Sequence, residues 1–87
     1  MDFEFYRNFI TVAETGNLTT ASKKLALAQP ALSAQIKTLE HYYGAKLIQT
    51  ARGKRQLTLT EAGEAFLGKA RQICRTEETI LLDMQSF

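Results

Sequence analysis

The sequence predicts a mainly α fold: three helices, a two-stranded β-hairpin and then one long helix. Three observations predict it. Apolar residues recur at helical spacing from Phe3 to Tyr43, punctuated at Gly16, at Pro30 and at Gly44. The period then switches to two short β-prone runs, KLIQT and QLTLT, on either side of a basic ARGKR turn. From Thr60 a helical period returns and runs to Gln85 without a proline.

The first helix spans 3 to 15, with Phe5, Phe9, Val12 and Ala13 on one stripe that Tyr6 and Ile10 widen. Gly16 ends it, and Asn17 or Thr19 offers the next N-cap. TTASKKLAL follows as a short helix, with Ala21 and Leu25 inward and Lys23 and Lys24 outward. A tight turn over Leu27 to Pro30 leads into the third helix, whose first turn tolerates Pro30 because the missing N–H has no intrahelical partner there. Leu32, Ile36, Leu39 and Tyr43 form its inward stripe. The runs at 46–50 and 56–60 pair as a hairpin, and Thr60 caps the last helix with Glu61 and Glu64 in its first turn. At 1.5 Å per residue that helix is roughly 39 Å long, whereas a head of this size is about 20–25 Å across. The helix should therefore project beyond the head. The division expected is a head at 1–59 and an extended helix at 60–87.

Composition narrows the function. The chain has 87 residues, enough for one domain. It holds no apolar run long enough to span a membrane and no cationic N-terminal leader, so no membrane partner is expected. One cysteine, Cys74, excludes an internal disulfide and suits a reducing cytoplasm. No metal-ligand spacing appears, His41 stands without a catalytic constellation and Cys74 has no neighbouring base, so neither an enzyme nor a metal or other cofactor is expected. The net charge of +2 is unevenly spread: eight Lys/Arg face four Asp/Glu up to Leu59, against three and five from Thr60. A basic head on an acidic tail suits a polyanion-binding head.

Two helices joined by a tight turn and followed by a basic hairpin describe a winged helix-turn-helix. Opposite the buried stripe of the third helix lie Pro30, Ser33, Ala34, Lys37 and His41. Small residues there would let the helix enter a major groove closely. Gln29 and Ser33 have the donors and acceptors to read base edges, and Pro30, Ala31 and Ala34 can touch thymine methyls. Thr20 is a candidate for DNA contact, Lys23, Lys24 and Lys37 for phosphate, and Arg52, Lys54 and Arg55 at the wing tip for phosphate or minor groove.

These residues resemble a known family. FITVAETGNLTTASKKLALAQPALSAQIKTLEHYYGAKL and LTEAGEAFL are similar to the N-terminal region of LysR-type transcriptional regulators, over nearly all of the chain. The resemblance implies a winged helix-turn-helix with a linker helix that pairs antiparallel in a homodimer, a tetramer in full-length members, and an effector-binding domain elsewhere. It implies a bacterial cytoplasmic setting. It carries DNA contact onto Gln29, Pro30, Ser33 and Gln35, phosphate contact onto Lys37, and a wing contact onto Arg52, with Lys54 or Arg55 as substitutes. Three positions depart from the pattern. Ala28 stands where a Ser or Thr cap is usual, Ala34 where a long reader is frequent, and Leu47-Ile48-Gln49-Thr50 where Leu-Phe-x-Arg is usual.

The long helix carries an apolar seam at Phe66, Ala70, Ile73, Ile80, Leu81 and Met84, interrupted by Glu77. A partner helix is the simplest cover for it, so a homodimer is expected, with double-stranded DNA of inverted-repeat sequence as the ligand. With no room after Gln85 for a sensor domain, this stretch should not respond to a small-molecule effector. Two other readings use the same head: a winged-helix module that binds protein, and the DNA-binding head of another regulator family.

Overall fold

The computed structural model describes residues 2–50 and 56–87. Helix α1 (Phe3–Thr15) starts at Asp2, whose carboxylate accepts from the Glu4 N–H, and ends at Gly16, whose φ of 67° lies in the left-handed region. Helix α2 (Leu18–Lys24) is capped by Asn17, whose side chain accepts from the Thr20 N–H at 2.9 Å. Helix α3 (Gln29–Tyr43) follows, then strands β1 (Ile48–Thr50) and β2 (Leu57–Leu59), then helix α4 (Glu61–Met84).

The expected elements are present, with shorter edges. Helix α2 stops at Lys24 rather than Leu27, because the Leu27 N–H turns back to the Ser22 carbonyl at 2.9 Å. The turn therefore covers Leu25 to Ala28, with Ala26 left-handed at φ 54° and Pro30 in the second position of α3. The strands pair antiparallel, Gln49 opposite Thr58, over only three residues each. The flanking backbone groups are bonded elsewhere: the Leu47 N–H donates to Glu40 Oε2, the Leu47 carbonyl accepts from the Thr60 N–H, and the Lys46 carbonyl accepts from the Thr60 hydroxyl. The base of the hairpin is tied to α1, since the Leu57 N–H donates to the Gly16 carbonyl at 2.9 Å.

The core gathers Phe9 and Val12 of α1, Ala21 of α2, Leu32, Ile36 and Leu39 of α3, Leu47, Leu57, and Ala70 and Cys74 of α4. Phe66 joins it as an aromatic hub, edge-on to Phe9 at 4.9 Å, stacked on Tyr6 at 6.0 Å and tilted on Tyr43 at 5.3 Å. The first half of α4 thus packs into the same core as the other helices. One α3 expectation needs correction. Tyr43 is 43% exposed rather than inward, because α3 runs out of core there and the ring caps Phe66 from the rim. The molecule measures 53 × 26 × 19 Å, so α4 does project beyond the head. Among the described residues, no helix is long and apolar enough to cross a membrane.

Candidate nucleic-acid interface

Helix α3 presents its outer face because its inner one is anchored throughout its length. Leu32, Ile36 and Leu39 are buried to 1% exposure or less, and all three sit in the core shared with α1 and α4. Ala28 leaves the N-terminus without a side-chain cap. The first turn instead closes through the Ala28 carbonyl, which accepts from the Ala31 and Leu32 N–H groups at 3.0 and 3.1 Å. With no polar cap in the way, the front of α3 is small and neutral: Gln29, Pro30, Ala31 and Ala34 are exposed and Ser33 is half-buried beside them. The Gln29 amide donates to the Ser33 hydroxyl at 3.0 Å. The two candidate readers therefore form one hydrogen-bonded unit, in which Gln29 keeps a second N–H and its carbonyl oxygen and Ser33 keeps its O–H for other partners.

Gln35 does not share that face. Its side-chain oxygen accepts from the amide of Asn8, itself 3% exposed on α1, at 2.7 Å. Position 35 lies three residues after Leu32 and four before Leu39, which puts it on the inward flank of the helix. The geometry makes Gln35 a strut between α3 and α1. Asn8 is the partner that sequence pattern missed: a polar residue one step from Phe9 looks like an edge residue until its buried acceptor is known.

The cations stand around this front. Lys23 and Lys24 are exposed in the last turn of α2, where the helix dipole favours positive charge. Thr20 is exposed at the start of α2, beside the Asn17 cap. Lys37 is exposed one turn beyond Ser33, and none of these three lysines forms an ion pair among the described residues. Arg52, Lys54 and Arg55 lie outside the described residues. By contrast Arg7 and Arg71 are engaged within the head, Arg7 with Glu4 and Glu77, Arg71 with Glu14 at 3.3 Å.

Glu40 is the most consequential residue that the sequence reading passed over. Its carboxylate accepts from the Leu47 and Ile48 N–H groups at 2.8 and 3.3 Å. Its own carbonyl accepts from the Gly44 and Ala45 N–H groups, Gly44 being left-handed at φ 68°. One residue of α3 thereby sets the angle at which the wing leaves the reading helix. The only detectable signal was an acid four residues before a glycine helix stop.

The seam of α4 splits in two. Ala70 is fully buried, Phe66 packs on Phe9 of α1 and is half-buried, and Ile73 is half-buried at the edge. Ile80, Leu81 and Met84 are 51%, 66% and 57% exposed. Beside them Phe3, Ile73 and Ile80 line an open, mainly apolar groove between the start of α1 and α4. Cys74 faces the core, where burial pushes its thiol pKa up despite the nearby Arg7 charge. Among the described residues, no group of His, Cys, Asp and Glu could hold a metal.

Comparison with known proteins bears on the same surface. Residues 3–64 match the model of the lysR family of bacterial regulatory helix-turn-helix proteins. The chain is 41% identical over 85 residues to the HTH-type transcriptional regulator BsdA of Bacillus subtilis, covering 98% of this chain and 29% of that protein. It is 42% identical over 82 residues to the Hca operon transcriptional activator HcaR of Escherichia coli, covering 94% and 27%. It thus spans under a third of the length of these curated relatives. Among solved structures, the CbnR DNA-binding domain bound to DNA superposes with a TM-score of 0.91 at 35% identity, over 99% of this chain and 97% of that one. The BenM DNA-binding domain on its benA site 1 DNA gives 0.89 at 31% identity, over 99% and 98%.

Proposed function

The chain belongs to the lysR family of bacterial regulatory helix-turn-helix proteins, and we propose that it recognises a specific inverted-repeat site on double-stranded DNA as a homodimer, to control transcription in the bacterial cytoplasm. The observation that carries this reading is the front of α3. A small, uncharged, exposed surface stands on a helix whose other side is locked into the core, ringed by lysines with no ion pair among the described residues. Such a surface fits a major groove, with Gln29 and Ser33 reading base edges, Pro30, Ala31 and Ala34 meeting thymine methyls, and Thr20, Lys23, Lys24 and Lys37 on phosphate. Arg52, Lys54 and Arg55 take the adjacent backbone or minor groove. Ile80, Leu81 and Met84, flanked by the groove at Phe3 and Ile73, supply the dimer contact, and burying each contributes roughly 1.5–3 kcal/mol.

Selection of bound duplexes from a random pool tests the recognition. The expected result is enrichment of an inverted repeat whose affinity falls steeply with salt; equal affinity for a scrambled duplex would refute specificity. Light scattering at tens of micromolar should show dimers, and monomers alone would refute the proposed pairing of α4.

A further inference from the structure

Between α3 and β1 lies a cleft of about 370 Å³, walled by Ser33, Lys37 and Glu40 on one side and by Lys46, Gln49 and Thr50 on the other. Leu18, Ile36 and Ile48 form an apolar lining. Ser33 belongs both to this wall and to the front of α3, so the cleft opens onto the proposed reading surface. Among the described residues Glu40 is the only acid in the lining, and its carboxylate is turned to the chain, accepting from the Leu47 and Ile48 N–H groups. Lys37 and Lys46 are both exposed and form no ion pair among the described residues. The Lys46 backbone is fixed, since its carbonyl accepts from the Thr60 hydroxyl, while its side chain is free to face the cleft.

We infer that this cleft seats the sugar–phosphate backbone of one DNA strand, with Lys46 as a phosphate contact opposite Lys37. The inference rests on the DNA-binding reading above and extends it to a residue outside the helix-turn-helix and the wing tip. A helix in the major groove and a wing on the neighbouring minor groove are separated by one strand, and that strand has to pass between α3 and β1. The cleft has the chemistry to receive it. Two ammonium groups on facing walls, with no ion pair among the described residues, suit a phosphodiester, the Ser33 and Thr50 hydroxyls and the Gln49 amide offer further donors, and the apolar lining suits a deoxyribose.

Backbone contacts are indifferent to sequence, so a mixed-sequence duplex is a sufficient probe. Fluorescence anisotropy across a salt series compares the wild-type protein with Lys46→Gln and Lys46→Arg. The expected result for Lys46→Gln is a slope of log K against log salt shallower by about 0.9 per head, with binding weakened by roughly 5–10-fold near 0.1 M salt. Lys46→Arg retains the wild-type slope. An unchanged slope in a normally folded Lys46→Gln protein overturns the inference while leaving DNA binding intact. A wild-type protein that binds no duplex overturns the DNA-binding reading and this inference with it. A variant-free check is acetylation of the wild-type protein: duplex should protect Lys46 and spare Lys69 on α4, and equal labelling of Lys46 with and without duplex overturns the inference.

Discussion

The two halves of α4 belong to one helix and have opposite situations. Up to Cys74 the helix is an internal part of the head: Gly63, Ala70 and Cys74 are buried and Phe66 is gripped by three aromatic rings. Beyond Glu77 every residue is exposed, including Ile80, Leu81, Leu82 and Met84. Both halves are amphipathic by pattern, and pattern alone assigned Phe66, Ala70 and Ile80 to one dimer seam. The difference is what lies within reach. The first half passes α1 and the base of the wing, and the second has left the head. One helix therefore carries an apolar stripe that the head covers up to Cys74 and leaves exposed beyond Glu77.

The largest break in that comparison should come from the inner half at Gly63. A Cβ there would lie 2.0 Å from the Leu47 carbonyl oxygen, and that carbonyl is held by the Thr60 N–H at 3.0 Å. Neither backbone can withdraw cheaply, so Gly63→Ala should destabilise the head by about 3 kcal/mol or more, seen as a collapse of the urea midpoint. A normal midpoint would mean that α4 is not pressed against the wing as described. Ile80→Asp tests the other half. In dilute solution, where both proteins are monomeric, the melting temperature should stay close to wild type. Dimer dissociation should rise about 100-fold, since each of two copies loses its buried apolar contact. A lower monomer melting temperature with unchanged association would reverse the assignment of the two halves.

The boundary itself can be tested at Glu77, which pairs with Arg7 across α1 and α4. Both side chains are about a third exposed, at 38% and 33%, so the pair is partly screened. Glu77→Gln should cost about 1 kcal/mol in urea titrations at low salt, shrinking as salt rises; a cost unaffected by salt would point to packing rather than charge. Glu77 also shows what was legible in the sequence. It read as an interruption of the seam, and it marks the place where the seam leaves the head. Helix number, the hairpin, both glycine stops and the Asn17 and Thr60 caps were all legible, because each is a local choice of chain chemistry. Gln35, Glu40 and Gly63 were not, since their roles depend on Asn8, Leu47 and Ile48 meeting them across the fold. Ala26 was illegible for a different reason: a left-handed alanine has no local preference to announce it, and the turn is imposed by the helices on either side.

The smallest effect concerns the rim of the inner half, where Tyr43 covers Phe66 and its hydroxyl is bonded to that of Tyr6. The hydrogen bond to Tyr6, aided by burial and by the proximity of a second ionisable phenol, pushes the Tyr43 pKa from 10.0 up to about 12. A raised pKa in an acid means that the fold favours the neutral form. The stabilisation is complete below the unfolded value near 10 and is lost as pH climbs through the folded value near 12. Stability should therefore decline over that alkaline window. Tyr43→Phe removes the titrating group and should flatten the decline, while Ile80→Asp, remote from the pair, should leave it unchanged. An alkaline tyrosinate titration in which Tyr43→Phe loses an ordinary phenol near pH 10, rather than the latest one, would show that the rim contact does not hold in solution.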